Sequence, residues 1–375
     1  MNSGEYQYIW QQADWPVWRF DASALAESLA KVSRNQGLLL GRMADAGLLL
    51  RDHATLLALS EEVLKTSAIE GEHFQPESVR SSIARRMGLD IGALAPKDRH
   101  AEGVVDMVLD ATEQHAHSLS AERLLAWHSA LFPDGQNGLT PIRVGQWRDD
   151  ANGAMQVVSG PLHRQRVHFE APSATQLSLE LARFLHWINH DSSQNTLLKA
   201  GLAHLWFLTL HPFDDGNGRI ARAIGEMLLA RADGSAQRFY SLSAQIQRER
   251  RAYYEILERS QKGGLDVTEW LAWFLQQLDA AISNAQQLLD SVLFKVRFWR
   301  HWSETPLNAR HIKVLNRLLD GFDGKLTSSK WAALAKCSAD TALRDINELL
   351  ALGVLQKAEA GGRSTAYALS KPWLG

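Results

Sequence analysis

His211-Pro212-Phe213-Asp214-Asp215-Gly216-Asn217-Gly218-Arg219-Ile220-Ala221-Arg222 is the stretch around which the chain is organised. The apolar run Leu197–Leu210 precedes it, too long for an ordinary strand and long enough for a buried helix. Pro212 ends that helix, because proline disfavours helical geometry in the residue before it. Asp214 to Gly218 form a dense turn, and Arg219–Arg231 is a second helix with Ile220, Ile224 and Leu228 on one face. A helix, a tight polar loop and a helix leave the amides of Asn217, Gly218 and Arg219 free at a helix N-terminus, which favours an anion. Gly216 and Gly218 let a phosphate approach the backbone. Arg219 and Arg222, three apart, reach the same side. A carboxylate here suits a magnesium ion shared with a phosphorylated substrate. His211, at the lip, is a candidate general base. The stretch reads as a phosphate site with a base beside it.

Taken singly, these pieces are commonplace: corners rich in Asp, Gly and Asn abound, and a histidine before proline is commonly structural. Gly216–Ala221 also fits the loose dinucleotide-binding fingerprint, but that motif requires a preceding strand within a βαβ unit, and none is present. As a whole, the string resembles the full signature of the Fic family, His-Pro-Phe-x-Asp/Glu-Gly-Asn-Gly-Arg-x-x-Arg. The resemblance implies transfer of AMP from ATP-Mg to a hydroxyl side chain of a target protein. By motif position, His211 is the base and Asp215 the magnesium ligand. Gly216, Asn217 and Gly218 form the anion hole, and Arg219 and Arg222 are phosphate ligands.

A second stretch gains meaning beside the first. Leu56, Leu59, Val63 and Leu64 mark one face of a helix that continues to Thr66-Ser67-Ala68-Ile69-Glu70-Gly71. Thr66 and Glu70 share a face and Gly71 is a natural stop, so alone this is an ordinary helix end. Next to the signature it resembles the family's inhibitory helix, Ser/Thr-x-x-x-Glu-Gly/Asn. The resemblance implies that Glu70 pairs with the second-helix arginine, taken here as Arg219. An arginine–carboxylate fork would occupy the donors that the terminal phosphate of ATP needs. ATP would then bind with its α-phosphorus out of line with the attacking hydroxyl.

The 375-residue chain is long enough for two or three domains. Its 45% hydrophobic content and 13 tryptophans argue for packed cores, and a net charge of -2 exerts no global pull on nucleic acid or anionic membranes. The single cysteine, Cys337, excludes an internal disulfide framework and suits a reducing cytoplasm. Met1–Tyr6 lacks the makings of a signal peptide, and no uncharged apolar stretch reaches the roughly 18 residues that span a bilayer. A cytoplasmic protein without membrane contact is expected.

Trp10, Trp15, Trp18 and Phe20 crowd a short N-terminal arm that reads as an anchor pinning the terminus to a core. Asp21 caps the next helix. Met87–Arg99 is a connector, and 132–154 is turn-rich, with Pro-Asp-Gly, Gln-Asn-Gly and Ala-Asn-Gly. Ala154–Val158 and Arg166–Glu170 are strand candidates flanking Ser159-Gly160-Pro161. In the Fic resemblance this hairpin is a flap that holds a target segment by strand addition. Arg248–Glu258 is a helix; the Fic resemblance implies that a helix here helps close the adenosine pocket, with Tyr254 as the candidate. Val267–Trp302 is a long helix or a pair.

From Pro306 the order is Ala309–Leu319, Ser328–Ala335, a turn at Cys337–Asp340, Thr341–Leu352, and β-like stretches around Gly361-Gly362-Arg363. This resembles a winged helix-turn-helix. Ten Lys and Arg against six Asp and Glu give this segment only +4. Thr341–Leu352 offers Arg344 against Asp345 and Glu348, so target docking or homodimerisation is favoured over DNA binding.

The expectation is a mainly α protein: an N-terminal helical module (1–100) with the inhibitory helix at about 55–71, a Fic core with a β-hairpin flap (101–300), and a winged helix (301–375). Its expected activity is protein adenylyltransferase, with ATP, Mg²⁺ and a target protein (including itself) as partners. Removal of AMP from a target and a DNA-binding regulator with a nucleotide-sensing pocket are the alternatives.

Overall fold

The structure is a computed structural model describing residues 7–92, 94–137, 140–151, 153–160, 164–322, 324–358 and 365–371. It is mainly helical and divides into two compact units, Met1–Ala285 and Gln286–Gly375.

The first unit is built around α7 (Thr196–Leu210), whose residues from Leu197 to Leu210 are all buried. A helix apolar on every side belongs in the middle of a bundle. Three buried polar residues interrupt it, Lys199, His204 and Thr209; Thr209 Oγ1 donates to the Leu205 carbonyl at 2.8 Å, and His204 Nδ1 has no partner among the described residues. Lys199 Nζ donates to the carbonyls of Trp187 and Asp191 at the end of α6 (Ala174–His190), and His204 Nε2 meets the Tyr253 hydroxyl at 2.9 Å. α8 (Asn217–Asp233) packs along α7, and α4 (Arg99–Glu113) and α5 (Ala121–Leu131) close over α8. α2 (Leu48–Ile69) lies against α3 (Pro76–Met87) and α9 (Leu242–Arg248). Buried Glu62 docks α2 onto α9: its carboxylate accepts from Ser241 Oγ at 2.6 Å, from the Ser243 amide at 3.1 Å and from Ser243 Oγ.

α1 (Ala22–Ala44) starts at the expected cap, Asp21, whose carboxylate accepts from the amides of Ser23 and Ala24. The aromatic arm before it is an anchor. Tyr8 meets Phe169 edge-on at 5.2 Å, Trp10 Nε1 donates to the Glu170 carbonyl at 2.8 Å, and Trp15 and Trp18 cluster on Trp206 of α7. Trp and Tyr suit this role because the ring buries while the N–H or O–H finds a partner.

A minor pair, β1 (Gln136–Asn137) with β2 (Thr140–Pro141), lies in the segment read as turns. β3 (Gln156–Ser159) and β4 (Arg166–Glu170) form the expected antiparallel hairpin, with β3 starting two residues later than the sequence pattern placed it and a bulge between Val157 and Val158. Pro161, Gly138 and Asn152 of the turn motifs lie outside the described residues. The helix expected over Arg248–Glu258 is α10 (Arg250–Gln261), separated from α9 by a break at Glu249. Among the described residues no helix is long and apolar enough to cross a membrane.

α11 (Thr268–His301) is one helix rather than a pair. The second unit adds α12 (Ala309–Leu319), α13 (Ser328–Ala335), α14 (Ala339–Ala351) and an antiparallel pair, β5 (Leu355–Lys357) with β6 (Tyr367–Leu369). Ala339 and Asp340, read as turn, open α14, because Ser338 caps it by accepting from the Thr341 amide. Trp331, Val314, Ile346, Leu349 and Val354 fill this core. Gly361-Gly362-Arg363 lie outside the described residues.

Candidate active site

α7 ends at Leu210, and His211 takes the left-handed conformation at φ 46, a region that non-glycine residues rarely enter. Such a backbone persists only where its surroundings over-determine it. Here Arg148 does so. Its Nε donates to the His211 carbonyl at 2.7 Å, its Nη2 to the carbonyls of Pro172 and Leu210, and its own amide to the Pro212 carbonyl at 3.0 Å. The His211 Nδ1 lies 3.2 Å from the Leu208 carbonyl. A carbonyl can only accept, so Nδ1 carries the proton and Nε2 keeps its lone pair. Burial, with Arg148 adding to it, pushes the imidazole pKa down to about 4, so His211 is neutral at pH 7.

The loop after His211 is tied by Asn217, whose side chain accepts from the Phe213 amide at 3.0 Å and donates to the Phe213 carbonyl at 2.8 Å. That side chain is spent on the loop, so only the backbone amide of Asn217 is left for an anion. Phe213 stacks on His128 with centroids 4.1 Å apart. Gly216 sits at φ 80, where a Cβ would run into the Phe132 ring. The two aspartates separate in role. Asp214 accepts from the Arg143 amide at 3.0 Å and anchors the preceding segment. Asp215 accepts from Asn137 and from the Gly216 amide at 2.6 Å. α8 starts from Gly216 without a side-chain cap, so its first-turn amides face the loop mouth.

Above this N-terminus lies the end of α2. Glu70 Oε1 stands over Gly218 so closely that a Cβ there would collide with it. A carboxylate thus occupies the helix N-terminus, the position that favours an anion. The expected Glu70–Arg219 pair does not form: Glu70 Oε1 instead meets Arg222 Nη2 at 2.7 Å, and Arg219 Nη1 meets Glu72 Oε2 at 2.6 Å. The last turn of α2 lies beside the second turn of α8, so Thr66 and Glu70, four apart, both face Arg222. The Thr66 hydroxyl accepts from Arg222 Nε at 2.7 Å and the Thr66 carbonyl from Nη2 at 2.8 Å. Gly71, at φ 90, then turns the chain so that Glu72 reaches the first turn of α8. Both arginines are buried. Arg219 Nε and Arg222 Nη1 have no hydrogen-bond partner among the described residues, two charged donors left unspent in the site.

Residues 118–229 match the model of the Fic/DOC family. This segment is a Fic/DOC domain. Residues 8–89 match a second model, described as a domain of unknown function, DUF4172. The protein adenylyltransferase Fic of Drosophila virilis is 32% identical over 214 residues, which make up 56% of this chain and 39% of that protein. The Drosophila ananassae protein of the same name is 27% identical over 56% of this chain and 38% of its own length. The chain therefore spans about two fifths of these curated relatives. Among solved structures, a Fic family protein from Desulfovibrio desulfuricans G20 superposes with a TM-score of 0.52 at 19% identity, covering 92% of this chain and 96% of that one. A Fic domain containing signaling protein from Bacteroides thetaiotaomicron VPI-5482 gives 0.51 at 16% identity, covering 68% and 95%. These structural likenesses concern the fold.

Within the Fic/DOC domain, the structure brings His211, Asp215, Gly216, Gly218, Arg219 and Arg222 around one loop, and adds Thr66, Glu70 and Gly71 from outside its matched limits. Tyr254 lies at the same end of α2. Its hydroxyl donates to the Ile69 carbonyl at 3.4 Å, and Arg250 donates to that carbonyl at 2.8 Å while its guanidinium covers the Tyr254 ring. Arg148 and Glu72 were not foreseen. The only sequence sign of Arg148 is an arginine ahead of two aspartates in a glycine-rich stretch. In the sequence Glu72 is one more polar residue past the helix stop at Gly71.

Proposed function

We propose that the protein is an adenylyltransferase that moves AMP from ATP to a Ser, Thr or Tyr hydroxyl of a target protein, itself included. One observation carries the reading: a neutral histidine with a free Nε2 opens the loop that leads into α8, whose first two turns hold two buried arginines with unspent donors. The name of the Drosophila relatives, protein adenylyltransferase Fic, agrees with it. The hydroxyl oxygen attacks the α-phosphorus, its proton passes to His211 Nε2, and the bond to the bridging oxygen breaks to release pyrophosphate. Arg219, Arg222 and the first-turn amides of α8 stabilise charge on the phosphates. Asp215 is the carboxylate to hold Mg²⁺, since a hard cation shared with phosphates needs few protein oxygens; bound there, the ion would neutralise phosphate charge.

The hairpin supports target binding. β3–β4 has exposed valines at 158 and 167, and Glu258 of α10 secures it by accepting from Arg166 at 2.9 Å and pairing with His168 at 2.7 Å. An extended target segment added along its edge would present a hydroxyl to His211. Glu70 restrains the site by holding Arg222 and covering Gly218, which makes this the N-terminally self-inhibited arrangement. The second unit, three helices and a β-pair, supports a winged helix for target docking or dimerisation. In α14, Asp345 is buried in a fork with Arg310 and is withdrawn from any DNA-facing surface.

ATP labelled at the α-phosphate, with Mg²⁺, tests the reading on wild type, Glu70→Gly and His211→Ala. Label should be strong on Glu70→Gly, weak on wild type and absent on His211→Ala. Strong label on His211→Ala would refute the assignment of the base. Loss of label from a pre-modified protein would instead favour removal of AMP, with Glu70 directing a water over Gly218.

A further inference from the structure

Glu72 has no part in the mechanism above, yet it holds one of the two arginines that the mechanism needs. The end of α2 fixes it there. The Gly71 amide donates to the Ala68 carbonyl at 3.1 Å and the Glu72 amide to the Ser67 carbonyl at 3.0 Å, with Gly71 at φ 90 between them. This paired closure defines the direction of the chain on both sides of the glycine, so Glu70 and Glu72 are aimed by one turn. Glu70 meets the second turn of α8 at Arg222, and Glu72 meets the first at Arg219.

The surroundings of Arg219 suit an exchangeable partner. Its guanidinium lies 4.9 Å over the Phe132 ring, its side chain is 2% exposed, and its Nε is unspent. Phe132 also walls the Gly216 turn, which places Arg219 at the anion hole. The carboxylate that meets Arg219 belongs to a side chain 31% exposed, so it can leave for solvent, whereas the buried arginine cannot. A phosphate arriving at the first turn of α8 and the Glu72 carboxylate compete for the same donor.

We propose that Glu72 is a second inhibitory carboxylate, which withholds Arg219 from phosphate as Glu70 withholds Arg222. The inference rests on the adenylyltransferase reading. Its consequence is that removal of Glu70 alone opens the site only in part. Full opening requires the Ser67–Glu72 turn to lift as a unit, while Glu62 keeps the body of α2 on α9.

Glu72→Gln removes the charge at a partly exposed position and leaves the turn intact, so it suits a test. ATP-Mg dissociation constants are measured by calorimetry for Glu70→Gly and Glu70→Gly/Glu72→Gln, each in a His211→Ala background. Self-labelling is measured with His211 present. The double variant should bind ATP about three- to tenfold tighter than Glu70→Gly and label itself faster in proportion, the worth of a freed charge-assisted donor. Equal binding and labelling in the two would overturn the proposal. So would weaker binding or slower labelling in the double variant, which would make Glu72 a group that orients Arg219 for the reaction. If Glu70→Gly labels itself and the second change adds nothing, only the role of Glu72 falls. If none of the variants binds ATP or takes up label, the adenylyltransferase reading falls and takes this inference with it.

Discussion

At His211 the backbone and the imidazole are governed by different partners, and each makes a prediction. The imidazole, with its pKa pushed down to about 4, is already in its basic form well below neutrality. A base works when deprotonated, so in the Glu70→Gly form kcat/KM for transfer should stay flat from pH 8 to about pH 5, then fall through the lowered pKa. Half-loss near pH 6.5, the ordinary value, would show that His211 is not the group so displaced. The backbone depends on Arg148, whose guanidinium and amide reach carbonyls at Leu210, His211, Pro212 and Pro172. Arg148→Lys keeps the charge and loses the fork, so stability should drop by about 3 kcal/mol and transfer should fall more than tenfold. Denaturant unfolding and the label assay would read both, and full activity would mean that the left-handed turn holds without its brace. Neither the loop's twelve residues nor their spacing disclosed Arg148. Apart from Asp150 two residues on, its partners are backbone carbonyls far along the chain, and a carbonyl leaves no trace in a side-chain pattern.

Between helices, the pattern was informative wherever periodicity and punctuation agreed. The buried run before His211, the cap at Asp21, and α12 and α13 were legible because apolar spacing met a stop or start residue. The partner of Glu70 was not legible. Arg219 and Arg222 are both within two turns of the loop, and the choice between them depends on which turn of α8 lies beside α2. That is a matter of packing between residues some 150 apart. The β3–β4 hairpin shows the same limit: the strands were visible, but not the clamp of Glu258 on Arg166 and His168. Arg166, His168 and Lys262 hold the Glu258 carboxyl down at about 2 despite its partial burial, so the clamp is ionised at neutral pH. Glu258→Gln should loosen the hairpin and raise KM for a protein target about three- to tenfold with little change in kcat, since the clamp lies away from the phosphates. A fall in kcat with unchanged KM would mean that the hairpin acts on chemistry instead of on target binding.

Across the molecule, the Ser67–Glu72 turn and the Fic/DOC loop belong to one compact unit, Met1–Ala285, and their association is a property of that bundle. Three of its imidazoles are held neutral: burial pushes His128 and His211 to about 4 and His204 to about 3. His204 lies in the middle of α7, with Tyr253 on its Nε2 and the Arg222 charge adding to burial in disfavouring its proton. In the unfolded chain such a group takes up a proton near pH 6.5, while the folded bundle refuses it until about 3. Between those values the unfolded state binds more protons, so stability is lost as pH falls, at about 1.4 kcal/mol per pH unit for each imidazole well inside the window. Other buried groups oppose this, Glu226 above all, whose pKa is raised to about 8 by burial and which favours folding as it protonates. A difference between variants isolates one histidine from that sum. His204→Gln should cost stability at pH 7, where it trades the Tyr253 contact for an imperfect one. Its stability should then decline less steeply than that of the wild type between pH 6 and pH 4, by about one proton's worth of slope. Amide hydrogen exchange along α7, the helix that carries His204 into the Fic/DOC loop, gives the local unfolding free energy at each pH. Parallel slopes for the two proteins would mean that His204 takes its proton inside the folded bundle, and that the core around Arg222 admits charge more readily than its burial implies.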